Sequence, residues 1–457
     1  MKENLPSYLA EAKPNSAENR TAWFKNIAPS YAGIILWFVF WQNTVNIGAG
    51  AGGLAQGVLT PIIGVVIGAI LCYLLYYKVP ALMGMKSGMP LYVIGSSVFG
   101  AKGGIVMPGL LMGLLQFGWV GVNIAGSSAL LYMCLPESMQ TTAALYGIMI
   151  AWGALATFMG LVGIKYVAKI STYLPLIPLV ILIILVAKTA ATVSSFDPAV
   201  FTPATDLANA APLSKIAIIS LITTAMIGFF ATAGAAGADF ATGARNKSDV
   251  RWGGLVGITF FMIFTAVAAI VIVAGAYGNK DMLPALIQAK MPLDATVVMN
   301  AVLGSSIGKI CMFLLAISAF PAACFSAMIA ANSFKTMLPK INANLSVAIG
   351  GAAAIALALT GVAGKAVTIF VFFGASFAPI CGALAADYVL AGFKWSGART
   401  GLNPAGWIAW AAGFIIGVLP MFGYLKDLPF NPVISFFVGA GLYAICMKAG
   451  LKTKLVK

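Results

Sequence analysis

The feature that most constrains this chain is a succession of continuous apolar runs. Each is about as long as the ~20 residues an α-helix needs to cross the hydrocarbon of a bilayer. Twelve such runs lie near residues 28–52, 58–77, 104–133, 142–163, 170–193, 214–238, 252–278, 300–332, 344–362, 366–392, 404–423 and 430–450. They are unbroken rather than alternating in blocks of about ten, which predicts helices and not a barrel. Composition agrees: 61% of residues are hydrophobic and only 9% are charged, too little charge to cover a surface facing water. The expectation is an all-α polytopic membrane protein. An ordinary cytosolic enzyme, a disordered chain and a secreted disulfide scaffold are excluded.

The chain has no His, so a His base, a His-ligated metal and a His-based triad are all unavailable. Its six Cys (Cys72, Cys134, Cys311, Cys324, Cys381 and Cys446) are far apart with no CxxC pair, so zinc and redox readings lack their spacing signal. No cofactor is expected, and no metal beyond a coupling sodium ion. The net charge of +15 reads as loops facing anionic lipid and not as a nucleic-acid surface. With the N-terminus inside, 20 Lys and Arg fall in cytoplasmic segments and 7 on the other side, together the 27 of the composition. That bias puts both termini in the cytoplasm of a multi-pass protein of the cytoplasmic (inner) membrane. Residues 1–27 are polar, do not read as a cleavable signal and read as a cytoplasmic tail. The expected organisation is then a first block of five helices over 28–193, a second over 214–392, two further helices over 404–450, and a short cytoplasmic tail, 451–457. The sequence leaves the oligomeric state open.

Two spans are rich in small residues: the first, from Asn43 through Gly48, Gly50, Gly52 and Gly53, and the sixth, from Gly228 through Thr232, Gly234 and Gly237 to Asp239. They head the two five-helix blocks, which must therefore run in opposite topology. Glycine-interrupted spans at matching places of two halves point to a binding site near the midplane of a transporter; tight helix packing is the other reading. Gln116 and Trp119 lie three apart on the third span and so share a helix face. An amide and a flat ring suit a planar ligand with amide-like edges, or else a Trp packed in the bundle and a Gln bridging helices. Phe230 and Thr232 repeat the theme of ring and hydroxyl beside the second interruption, and Asn43 stands near the first. Asp239 precedes Arg245 and Lys247, which predicts a structural ion pair, and Asp387 near the end of the tenth span reads the same way.

Three stretches resemble the nucleobase–cation symporter family, which includes the purine and cytosine permeases, with the likeness falling nearest the cytosine permeases. They are Gln116-Phe117-Gly118-Trp119; Gly228-Phe229-Phe230-Ala231-Thr232-Ala233-Gly234 leading to Asp239 and Arg245; and Pro379-Ile380-Cys381-Gly382 leading to Asp387. The resemblance covers roughly 30–450. It implies a LeuT-like five-plus-five inverted repeat with two further C-terminal helices, and alternating-access uptake of a nucleobase-like ring. It also implies that Gln116, Trp119, Gly228, Phe230 and Thr232 bind substrate, with Trp119 and Phe230 stacking on opposite faces of the base. Phe40 matches a position whose backbone lies at the family's ion site, and Ser318 keeps one ion-site hydroxyl. The eighth span otherwise departs from the family, reading Ala316-Ile317-Ser318-Ala319-Phe320-Pro321 without the expected Asn. Pro321 is expected to break that helix and free carbonyls.

The expected activity is a non-enzymatic permease importing a nucleobase or related heterocycle such as cytosine, hydroxymethylpyrimidine, a purine or allantoin, by symport with Na+ or H+. The expected partners are that small molecule and the lipid bilayer, with no nucleic acid. A sodium-coupled carrier of another small solute such as an amino acid shares the fold. An intramembrane enzyme lacks a base or nucleophile motif here, and a channel lacks a ring of charges.

Overall fold

The computed structural model describes residues 5–40, 52–162, 173–201, 213–287, 295–425 and 428–456. Among these it is helical without a strand; the β geometry is two isolated bridges, Thr21 with Ala244 and Arg399 with Leu455. The helices are α1 (Ile27–Ile35), α2 (Leu59–Ser87), α3 (Ile105–Cys134), α4 (Thr142–Val162), α5 (Leu176–Thr189), α6 (Lys215–Ala235), α7 (Gly237–Ala241), α8 (Lys247–Gly278), α9 (Ser305–Met337), α10 (Ala343–Leu359), α11 (Ala366–Leu390), α12 (Pro404–Val418) and α13 (Asn431–Lys448). Ten helices among the described residues are long and apolar enough to cross a membrane. The two other expected spans correspond to the shorter apolar α10 and to a segment that begins with α1. Most of the small-residue stretch of that first span, with Asn43, lies outside the described residues.

The helix ends follow local chemistry. Ser214 Oγ accepts from Ala217 N at the start of α6, and Asn246 Oδ1 accepts from Asp249 N at the start of α8, each capping an otherwise orphaned N–H. The second span runs past its expected end to Ser87 and stops at Gly88, whose φ of 69° lies in the left-handed region. The eighth expected span divides at Gly304, φ 78°, into a short helix Ala295–Leu303 and α9. Pro321 does not break α9, which continues to Met337. Proline removes only one helix N–H, the one that would bond the Ile317 carbonyl, and neighbouring helices support the rest of the helix.

The two blocks repeat an order of elements. α2 and α8 each contain a six-residue π turn, Cys72–Tyr77 and Leu255–Phe260. Each is followed by two short helices before the next long one: Leu91–Ile94 and Ser96–Phe99 after α2, Leu283–Ile287 and Ala295–Leu303 after α8.

Packing sorts the helices into two sets. α3, α4, α9 and α10 pack on one another, with α3 against α9 the most extensive contact. α2, α6, α8, α11, α12 and α13 form a second connected set, with α6 between α2 and α11. Lipid gives no hydrophobic drive to associate helices, so close backbone approach carries the packing. Gly228 shows the device: a Cβ there would collide with the Phe370 carbonyl of α11.

Both chain ends are tied to one face. Thr21 N donates to Gly243 O (2.8 Å) and Asn15 N to Gly88 O (3.0 Å). At the other end Thr400 N donates to Lys454 O (2.8 Å), and Arg399 Nε donates to Ser97 O (3.0 Å). Gly228→Val should therefore wedge α6 from α11 and lower stability by about 1–3 kcal/mol, the usual cost of overpacking. Gly441→Ala in α13, where a Cβ meets nothing within 4 Å, should not. Thermal melts of the two variants in detergent check this.

Candidate functional site

Between the two sets lies a cavity of about 1240 Å³. One helix face builds each wall. On α3 the lining residues are Met112, Gln116, Trp119 and Asn123; on α6 they are Phe229, Thr232, Ala233 and Ala236. Both series step by three or four, the spacing of a single helical stripe. Along α9 the lining runs from Ser318 to Met337, about 28 Å at 1.5 Å per residue. It ends where Met337 packs with Tyr8 and Val93 on the face that holds the termini. Ser7, Tyr8 and Glu11 of the N-terminal segment line that end.

The inner end is ringed by aromatics. The Trp119 centroid lies 5.1 Å from Phe229, 5.3 Å from Phe370, 5.1 Å from Phe373 and 6.0 Å from Trp37. Trp119 Nε1 donates to Thr232 Oγ1 (3.0 Å), which joins α3 to α6 and fixes the orientation of the indole. Gln116 Nε2 makes one weak bond, to Met112 Sδ (3.5 Å), so most of its amide capacity is left for a ligand. Asn123 is fully engaged: its Nδ2 donates to Ala319 O (2.9 Å) of α9, and its Oδ1 accepts from Trp152 Nε1 (3.0 Å) of α4.

Of the residues expected at a site, the structure brings Gln116, Trp119, Thr232 and Ser318 to this cavity. Ser318 Oγ donates to Leu315 O (2.8 Å). Phe230 is placed elsewhere. It is wholly buried, its ring 5.5 Å from Tyr31, and Phe229 faces the cavity instead. Successive residues of a helix point about 100° apart, so Phe230 and Thr232 cannot share the stripe that Phe229 and Thr232 share. Gly228 lies at the seam with α11 and not on the cavity. Phe40 is buried against Phe229, 4.8 Å between centroids. The sequence reading passed over Trp37, Phe229 and Asn123. Asn123 was visible, being four residues beyond Trp119 on the same face.

The charges stay at the mouth. Glu11, Asp239 and Lys335 are the charged residues of the lining, and none lies among the inner rings. The expected pairing of Asp239 with Arg245 or Lys247 is replaced. Arg245 Nε donates to Asp249 Oδ2 (2.8 Å), its i+4 neighbour, and Asp249 also accepts from Trp23 N (3.2 Å). Asp239, beyond the end of α6, accepts a long bond from Leu91 N (3.4 Å). Its side chain is exposed to the cavity at a point walled by many protein atoms, with Lys13, Tyr92, Glu11 and Tyr31 as the titratable groups around it. Desolvation among those atoms pushes its pKa up to about 6. Asp387 is held by hydroxyls: Tyr443 OH donates to its Oδ1 and Ser396 Oγ to its Oδ2, both at 2.8 Å.

No family model matches the chain, and comparison with curated proteins finds no match. Solved structures do. The inward-facing conformation of Mhp1 aligns over 99% of this chain and 97% of its own, with a TM-score of 0.64 at 14% identity. Mhp1, a nucleobase-cation-symport-1 family transporter, in a closed conformation with bromovinylhydantoin bound, aligns over 98% and 95%, with 0.60 at 15%. A Na+-coupled sialic acid symporter, outward-open with substrate bound, aligns over 100% and 95%, with 0.56 at 11%. At these identities the likeness is one of fold, and the fold is the LeuT-like one of multi-pass membrane transporters.

A raised carboxylate pKa sets a sign. Asp239 favours the folded state fully below the unfolded value near 3.8, and that contribution is lost as pH rises through about 6. Because the side chain is open to the cavity, water screens much of this, and Asp239→Asn should raise Tm at pH 7.5 by no more than a few degrees, with the gain shrinking as pH falls below about 6. Melting curves of both proteins from pH 4 to 8 check this.

Proposed function

We propose that this chain is a secondary active transporter that imports a neutral, planar nitrogen heterocycle such as cytosine by cation symport. The observation that carries it is the inner end of the cavity. There an uncommitted amide, Gln116, stands one helix turn from an indole, Trp119, among rings of the opposite wall and, among the described residues, with no charged side chain. A flat ligand gains stacking from Trp119 and Phe229. The amide of Gln116 pairs with an edge that presents adjacent donor and acceptor. A zwitterionic amino acid would bring two full charges to a place that offers neither counter-charge among the described residues, at a large desolvation cost. The fold supports alternation: two helix sets with a cavity between them, open in this state toward the face of the termini. With that face cytoplasmic, this is the releasing state.

The coupling ion is Na+ or H+. Ser318 brings one hydroxyl to the α9 wall, and the shared fold with two symporters supports ion coupling. The likeness of the three signature stretches to cytosine permeases supports a pyrimidine as the ligand.

Trp119→Ala should abolish uptake of radiolabelled cytosine, or of whichever heterocycle a thermal-stabilisation panel identifies, while leaving the ligand-free Tm within a few degrees. Normal uptake by that variant would end the stacking role. Stabilisation by free amino acids and by no flat heterocycle would end the heterocycle reading.

A further inference from the structure

Eight buried side-chain nitrogen or oxygen atoms have no hydrogen-bond partner among the described residues. Seven lie away from the cavity; the eighth, Trp37 Nε1, belongs to a residue that lines it. The two tryptophans that face each other there are unequal. Trp119 has its N–H satisfied by Thr232, and Trp37, 9% exposed, has a dry N–H with nothing to receive it. A buried unpaired donor forfeits its water without a replacement, so such groups are rare and call for a reason.

The position of Trp37 supplies one. α1 ends at Ile35 with its cap at Leu36, and Trp37 stands in the bend before the backbone resumes with Phe40 N donating to Trp37 O (2.9 Å). The indole thus projects from the interruption of the first span. It lies 6.0 Å from Trp119 and 6.3 Å from Phe229 between ring centroids. Because its residue is outside regular helix, it can turn toward a ligand without breaking a helical turn. Gln116 offers both donor and acceptor from the α3 wall; Trp37 offers a donor alone from the α1 side.

We propose that Trp37 is a specificity-determining residue whose indole N–H donates to an exocyclic ring carbonyl of the bound heterocycle. This rests on the heterocycle reading above and adds to it a second recognition point, which selects oxo-heterocycles over rings that lack the oxygen. No proton is transferred; the N–H exchanges an unpaired, dry state for one hydrogen bond.

The test compares matched ligands on purified full-length protein by equilibrium binding: cytosine against 4-aminopyrimidine, and hypoxanthine against purine. Trp37→Phe keeps a ring and removes the donor. It should weaken cytosine and hypoxanthine about tenfold, the usual scale for a lost hydrogen bond in a buried site. The oxygen-free partners should change by less than about twofold. Replacing Trp37 by benzothienylalanine, which is isosteric and lacks only the N–H, should give the same split and keeps the test available if the Phe variant folds poorly. Equal weakening of both members of a pair would mean that Trp37 acts by packing and would overturn the proposal, as would no change in either. Wild-type protein that binds none of the four, yet is stabilised by another solute class, would remove the underlying heterocycle reading itself.

Discussion

In hydrocarbon, a backbone N–H or C=O without a partner is so costly that irregular backbone persists only where protein or water covers it. The architecture turns on this constraint. The described helices run for long stretches, and the interruptions at Leu36–Trp37 and at Ala236 both flank the cavity. Interruption and cavity are therefore one feature. The irregular turns can exist because the cavity and the surrounding rings shelter them, and one of them carries Trp37 to the cavity. The regular stretch of α3 beyond Leu111 and α9 contribute side chains at regular spacing instead.

The gap between the helix sets is then a matter of packing. Close approaches such as Gly228 against the Phe370 carbonyl hold α6 to α11, and Asn123 ties α3 to α4 and α9 through its two amide atoms. Among the described residues, the contact between the sets at this level is made by rings and by one hydrogen bond, Trp119 to Thr232. Rigid sets joined by a thin aromatic seam suit a molecule whose halves tilt. The distribution of charge follows the same division. Glu11, Asp239 and Lys335 sit at the mouth, where water can reach them, and the inner end is neutral, as the cost of an unpaired charge requires.

Much of this was legible in the chain. The apolar runs gave the helices and the two-block order, and the spacing of Gln116 and Trp119 placed them on one face, where the structure has them. The same periodicity, applied strictly, separates Phe229 from Phe230. Reading Phe230 and Thr232 as a pair followed the family pattern over the 3.6-residue repeat, and the repeat prevailed. Ion pairing was less legible. Asp239 and Arg245 are close in sequence, but the Asn246 cap starts a new helix that brings Asp249 one turn beyond Arg245, and the guanidinium closes there.

What the sequence by itself determined is what depends on neighbours within a turn or two: which segments are long and apolar enough to span, where caps and glycines end them, and which residues of α3 share a face. Only the tertiary structure decided which face of each helix meets the cavity, that Trp37 and Trp119 confront each other with unequal hydrogen bonding, and that Arg245 pairs with Asp249 and not with Asp239. Those outcomes depend on segments between about 80 and 250 residues apart in the chain coming within a few ångströms. Side-chain approach at that range is set by the packing of whole helices, which no local spacing records.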